Sequence, residues 1–169
     1  MINQDAPAAS GARSKSEDSR RMSHAHPKSE AMKLIELTTR EEKEEGFELM
    51  QEFISLLTRQ DFVRAFQSDF FQNHKLYGLR ASGSLVTVAA VWLLMTGLME
   101  KLIWVSAIVT DKSERSKGYG KALVEGLEEY SKKEGIDEIW GHTNNERAQK
   151  FWEQTAGFNE VARVLRKKI

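Results

Sequence analysis

A mixed α/β fold, with helices on the faces of a mostly antiparallel sheet, is the class that this 169-residue sequence predicts. Three observations carry it. Strand-like and helix-like hydrophobic periods follow one another in the order β-α-α-β-β-β-α-β-α-β. The three consecutive strands in the middle are joined by tight turns, which makes that portion antiparallel. The strand–helix–strand unit from Lys101 to His142 then needs a right-handed parallel crossover, so the sheet is mixed.

The elements follow in order. Lys33 to Thr38 reads as a first strand. Thr38 and Thr39 precede Glu41, Glu42, Glu44 and Glu45, an acidic first turn suited to a helix N-terminus. Phe47, Met50, Ile54 and Leu57 then share one helical face. Asp61 is placed to cap a second helix, in which Phe62, Phe66 and Phe70 stack four apart. Leu76–Ala81 and Leu85–Met95 form a hairpin around Ser82-Gly83-Ser84, and a turn near Thr96-Gly97 leads into a strand from Lys101 to Thr110. The next helix carries Leu123, Leu127 and Tyr130 on one face and ends at Gly135, a natural C′ glycine. Ile136–His142 is a strand, Asn145–Ala156 a helix, and Val161–Leu165 a closing strand. No internal repeat is visible.

Residues 1–31 differ from the remainder. The stretch is rich in Ser, Ala, Arg and Lys, holds both prolines, Pro7 and Pro27, and has almost no large apolar residue. It cannot offset its ordering entropy by burial and is expected to be a disordered tail, leaving 32–169 as the domain. Met32 is an alternative start. A transit peptide fits Arg13, Lys15, Arg20 and Arg21 but not Asp5, Glu17, Asp18 and Glu30. His24 and His26 read as solvent-exposed rather than metal-ligating.

Composition excludes several classes. With 25 Lys+Arg against 25 Asp+Glu there is no electrostatic case for non-specific nucleic-acid binding. No stretch approaches the ~20 apolar residues of a membrane span. The absence of cysteine removes disulfides, thiol nucleophiles and thiolate metal sites, and suits a reducing, cytoplasmic setting.

The most telling stretch is 108–123. An apolar strand ending at Ile108 and Val109 runs into a short charged loop, two glycines bracket Tyr119, and a helix begins at once. Backbone N–H groups and the positive end of a helix dipole together favour a phosphate there. The pattern is not a dinucleotide fingerprint, since the third glycine and the later acidic residue are missing, nor a P-loop, since no Gly-Lys-Ser/Thr occurs. A helix start that simply needs glycine is the plainer alternative.

Context is added by Asn145-x-x-Ala148-x-x-Phe151 and by Gly157-Phe158. Together with Arg115-Ser116-Lys117-Gly118-Tyr119-Gly120, they resemble the GNAT superfamily of acyl-CoA-dependent N-acetyltransferases, from Met32 to Ile169. The resemblance implies the acyl-CoA N-acyltransferase fold, with six to seven strands and about four helices. It implies acetyl-CoA as cosubstrate, its pyrophosphate held by Arg115, Ser116, Lys117, Gly118, Tyr119, Gly120 and Lys121. The pantetheine arm would pair with the strand through Ile108 and Val109. Asn145 and Phe151 would contact the cofactor further along. Asn145 also has a plain reading as a helix N-terminal residue, because Thr143-x-x-Glu146 forms a capping-box pattern.

Acid–base help is harder to place. An alkyl ammonium with a pKa near 10.4 is less than ~0.1% neutral at pH 7, so a deprotonating route matters. Many relatives carry Tyr after the phenylalanine as general acid, where this chain has Trp152. Four residues rather than the commoner three separate Trp152 from Gly157, which predicts a local bulge or shifted register. The central strand offers Ser106 and Ala107 where some relatives place a carboxylate. The substitutes are His142, at the end of its strand, and Glu100, on the preceding turn. Tyr119 and Tyr130 read as structural. Trp92, Trp104 and Trp140 read as core, with one of them available to line an acceptor pocket.

The expectation is thus acetyl transfer to a primary amine of a small molecule, protein or peptide, without nucleic-acid or membrane partners. A homodimer is left open. The alternative is a GNAT-fold sensor that holds CoA with little turnover.

Overall fold

The computed structural model describes residues 32–51, 53–54, 57–67, 72–143, 146–161 and 167. The tail lies outside them, as do Phe70, Asn145 and most of the predicted closing strand.

Five strands form the sheet among the described residues: β1 (Ile35–Glu36), β2 (His74–Ala81), β3 (Ser84–Met95), β4 (Lys101–Thr110) and β5 (Glu138–Gly141). Their spatial order is β1-β2-β3-β4-β5. The first three pairings are antiparallel and β4–β5 is parallel. This is the predicted class, with fewer paired strands than the six to seven expected. The first strand is shorter than expected because only Ile35 and Glu36 find register partners, Gly78 and Tyr77.

Four α-helices among the described residues accompany the sheet: α1 (Arg40–Met50), α2 (Arg59–Ala65), α3 (Tyr119–Glu134) and α4 (Glu146–Lys150). Thr39 opens α1 with a capping box, its hydroxyl accepting from the Glu42 N–H and the Glu42 carboxylate accepting from the Thr39 N–H. α1 ends at Met50, so the period through Ile54 and Leu57 does not mark one helix; Leu57 is exposed. Thr58, not Asp61, caps α2, and Asp61 lies three residues in, donating its N–H to the Thr58 hydroxyl at 3.1 Å.

The sheet separates two cores. On one face Leu123, Val124 and Leu127 of α3 pack with Tyr77, Leu79, Val91, Ile103 and Val105. On the other, Phe47, Met50, Phe62 and Val63 of α1 and α2 pack with Leu76, Leu85, Val88 and Ala90. Strand alternation accounts for this division, since successive side chains point to opposite faces. Tyr130 leans on Tyr77 with ring centroids 5.3 Å apart, the structural role expected of it.

The last helix does not continue as predicted. After α4 the chain makes a π turn, Phe151–Thr155, in which the Ala156 N–H donates to the Phe151 carbonyl. The extra residue before Gly157 is accommodated as this π turn. No helix among the described residues is long and apolar enough to cross a membrane.

Candidate active site

β4 is the axis of the site. It pairs with β3 along its whole length, but with β5 only from Leu102 to Val105. Ala90 faces Ala107 while Val91 faces Val105, so Ser106 is an extra, bulged residue. Its hydroxyl donates to the Ala90 carbonyl at 2.9 Å. Beyond Val105, the β5 side of β4 has no strand partner among the described residues. Ile108 and Val109 lie on that segment. A strand edge open in this way can accept an extended ligand that carries amides.

The loop that follows is built from local bonds. Asp111 accepts from the Ser113 N–H at 2.8 Å, closing a short 3₁₀ turn at Lys112–Glu114. The Ser113 bonds hold the Asp111 carboxyl below its ordinary pKa. Arg115 turns back so that its Nε donates to the Thr110 carbonyl at 3.0 Å. Ser116 and Gly118 then both adopt positive φ, +66° and +86°. A serine held there is uncommon, and successive N–H groups in such a conformation form an anion-binding concavity.

Gly118 is the N-cap of α3, and no side chain caps that end. A Cβ added at Gly118 would meet nothing within 4 Å, so the space beside the loop is open. The first turn of α3 carries no acidic residue, which keeps its N–H groups and dipole available to an anion. Lys117 pairs with Glu114 at 3.0 Å and Lys121 with Glu125, so neither of these lysines brings an unopposed charge. Tyr119 is half-buried at the start of α3.

The second motif touches the first. The Phe151 ring lies 3.2 Å from where a Gly120 Cβ would be. Trp152 is 7% exposed, meets Phe158 edge-on with centroids 4.8 Å apart, and lies against Gly141 of β5. It is a core residue. Asn145 and the Thr143-x-x-Glu146 pattern involve positions outside the described residues.

The two proton-transfer candidates lie far apart. His142 is exposed, follows the last β4–β5 pair, and stands 5.6 Å ring to ring from Trp104. Glu100 is exposed just before β4, where its N–H and carboxylate bond to the Thr96 hydroxyl. Six residues of strand rise, roughly 20 Å, separate it from Ser106. The site therefore gathers the loop, the open edge of β4 and His142, and leaves Glu100 at the opposite end of the strand.

Sequence reasoning passed over His74. Its ring stacks on Trp92 at 4.4 Å and meets Phe66 at 4.3 Å. Burial pushes its pKa down to about 4. Nothing in the local sequence marks it; only strand pairing brings Trp92 opposite.

The model of the Acetyltransferase (GNAT) family matches residues 34–158. The chain belongs to the GNAT acetyltransferase family. Its solved structural relatives agree. A Trypanosoma brucei acetyltransferase is 19% identical, with a TM-score of 0.66, covering 82% of this chain and 99% of its own. The ribosomal-protein-alanine N-acetyltransferase from Brucella melitensis is 16% identical, with a TM-score of 0.67 and coverages of 81% and 99%. The glucosamine-6-phosphate N-acetyltransferase from Arabidopsis thaliana is 20% identical, with a TM-score of 0.64 and coverages of 80% and 97%. No curated protein matches this chain in sequence. Family membership makes the chain an N-acetyltransferase with a mixed sheet flanked by helices.

Proposed function

We propose that the protein transfers an acetyl group from acetyl-CoA to a primary amine by direct attack. The observation that carries the reading is the uncapped α3 N-terminus, with Ser116 and Gly118 at positive φ, beside the open edge of β4. Residues Arg115 to Lys121 would hold the pyrophosphate through backbone N–H groups. The backbone at Ile108 and Val109 would pair with the amide-bearing arm. The open space at Gly118 and the unpaired strand edge both fit such a ligand. When bound, acetyl-CoA supplies an activated acyl group and a thiolate that leaves readily.

The chain's own task is to position the amine and take its proton. With the Trp152 indole buried, no general acid stands at that position. A thiol of pKa about 8.5 leaves without much help, so its absence is tolerable. His142, beside the point where β4 and β5 part, is the proposed proton acceptor. Loss of acid–base help costs on the order of 10²–10⁴ in rate, which positioning can offset. The named relatives act on an alanine of a ribosomal protein and on glucosamine-6-phosphate, so the fold alone leaves the acceptor open. A cytoplasmic setting accords with the absence of cysteine.

The second reading, a CoA-binding sensor, is motivated by Trp152 and by Ser106 on the central strand. Thermal shift with acetyl-CoA followed by thiol release across an amine panel separates the two. A shift that Gly118→Trp abolishes, together with turnover, supports the enzyme. A shift without turnover on any acceptor favours the sensor, and no shift at millimolar acetyl-CoA sinks both.

A further inference from the structure

One row of the sheet is aromatic across four strands. His74 of β2 faces Trp92 of β3, Trp92 faces Trp104 of β4, and Trp104 faces Trp140 of β5. All four lie on the face that α1 and α2 cover, because their neighbours Tyr77, Val91, Ile103 and Ile139 point into the opposite core. Among the described residues, the helices close one end. Phe66, at the C-terminal end of α2, seals His74. The α1/α2 cluster takes in Leu76, Leu85, Val88 and Ala90 but neither Trp104 nor Trp140.

Among the described residues, no side chain of the α1/α2 cluster covers the other end. Trp104 and Trp140 are half-buried with ring centroids 6.1 Å apart and planes inclined by 31°. Exposed His142 continues the surface at 5.6 Å from Trp104. The Glu138 carboxylate accepts from the Trp140 indole N–H, which fixes that ring and engages the acid. A cleft of about 1050 Å³ at the β5 edge reaches these rings and is lined elsewhere by α3 and the π turn, Ser131, Lys132 and Trp152 among them.

Several carboxylates that a polycationic acceptor could use are engaged locally, while Glu128, Glu153 and Glu160 also line the cleft. On α1, Glu42 bonds to Thr38 and Thr39, Glu44 to Arg40, Glu45 to Arg80 and Glu48 to Arg59. Asp137 accepts from the Lys101 N–H at 3.0 Å. Beside those acids, Trp104 and Trp140 offer flat apolar surface next to an imidazole. Such a surface also desolvates an ammonium and lowers its pKa, which helps deliver the neutral amine in the absence of a carboxylate base on β4.

We propose that the acceptor carries an aromatic or similarly flat apolar group that stacks on Trp104 and Trp140 and presents its amine at His142. This rests on the acetyl-transfer reading above. Stacked and offset aromatic pairs gain beyond simple area burial, so the ring matters more than the chain that bears it.

The test compares phenethylamine with butylamine, spermidine and kanamycin as acceptors for the full chain, by thiol release. The expected kcat/KM for phenethylamine exceeds that for butylamine by roughly ten-fold. Trp104→Leu and Trp140→Leu should each bring that ratio towards one while acetyl-CoA still stabilises the fold in thermal shift. Preference for spermidine or kanamycin, or an aromatic preference that survives in both variants, overturns the proposal. Phenethylamine binding is also read alone, by quenching of tryptophan fluorescence. Quenching lost in Trp104→Leu, with no turnover of any amine, upholds the aromatic platform and removes acetyl transfer. Absence of both quenching and aromatic preference removes the platform whatever acetyl-CoA does.

Discussion

Phe151 lies across Gly120, with its ring 3.2 Å from where a Cβ at residue 120 would stand. The helix-bearing motif therefore props the loop-bearing motif from behind. The ring that resemblance assigns to cofactor contact also sets how closely α3 approaches β4, since the same Cβ would come 3.7 Å from the Thr110 hydroxyl. Gly120→Ala should cost about 1–2 kcal/mol and weaken the acetyl-CoA thermal shift. Phe151→Leu in that background should recover part of both. The check is a double-mutant cycle in urea, where a coupling near zero would mean that the two residues do not press on each other.

Gly118 makes a separable contribution. Its φ of +86° is one that other residues adopt at a cost, yet its side is open. Gly118→Ala should lower stability by about 1 kcal/mol with modest loss of acetyl-CoA affinity. Gly118→Trp should eliminate the ligand-induced shift while the ligand-free protein still unfolds cooperatively. Equal acetyl-CoA responses in wild type and Gly118→Trp would remove the loop from the binding site.

Trp152 packs on Gly141 with three ring atoms within 3.3 Å of a would-be Cβ. Gly141→Ala should destabilise by about 1–3 kcal/mol through overpacking. Trp152→Tyr restores the residue type that many relatives carry, but it should lower the unfolding temperature and leave the thiol-release rate no higher. A rise in rate would show that a phenol at this position reaches the thiolate.

Much of this was readable in advance, and the misses have physical reasons. β4 was legible because its apolar run is bounded by a turn and by the charged loop. The glycine loop was legible because an uncapped helix start demands glycine, and the second motif was legible only through its resemblance to the GNAT superfamily. The end of α1 was not, since Ile54 and Leu57 keep the helical period while Leu57 meets no core. Asp61 reads as a cap, yet Thr58 three residues earlier takes that role and uses the Asp61 N–H. The Ser106 bulge and the aromatic row depend on cross-strand register, which no single segment encodes.

Arg80 and Glu45 join β2 to α1 in a two-pronged pair, at 2.9 and 2.6 Å, and Glu45 also accepts from the Leu85 N–H at 3.1 Å. The Arg80 hydrogen bond is the main cause holding the Glu45 carboxyl below its ordinary value. Because the folded value is the lower one, the stabilisation is present above the unfolded value of about 4.5 and is lost as pH falls through the folded value. The pair is partly solvent-screened, so Arg80→Gln should cost about 1 kcal/mol at pH 7. The difference from wild type should shrink below about pH 4, measured by urea unfolding across pH. A constant difference down to pH 3 would assign the loss to the arginine stem rather than to the charge pair.

His74 titrates in a higher window. Sandwiched between Phe66 and Trp92, it is held neutral with a pKa of about 4, against an ordinary 6.5. The unfolded chain therefore binds the proton first, and stability falls as pH drops from about 6.5 towards 4. Most of that interval lies above the one in which Glu45 acts, so the two effects are separable above about pH 5. His74→Phe keeps a flat ring between the same partners and removes the titration. The variant should lose less stability than wild type between pH 6.5 and pH 4, read as the change in urea midpoint. Parallel pH profiles for the two proteins would mean that His74 is solvated and that the row is not closed at the β2 end.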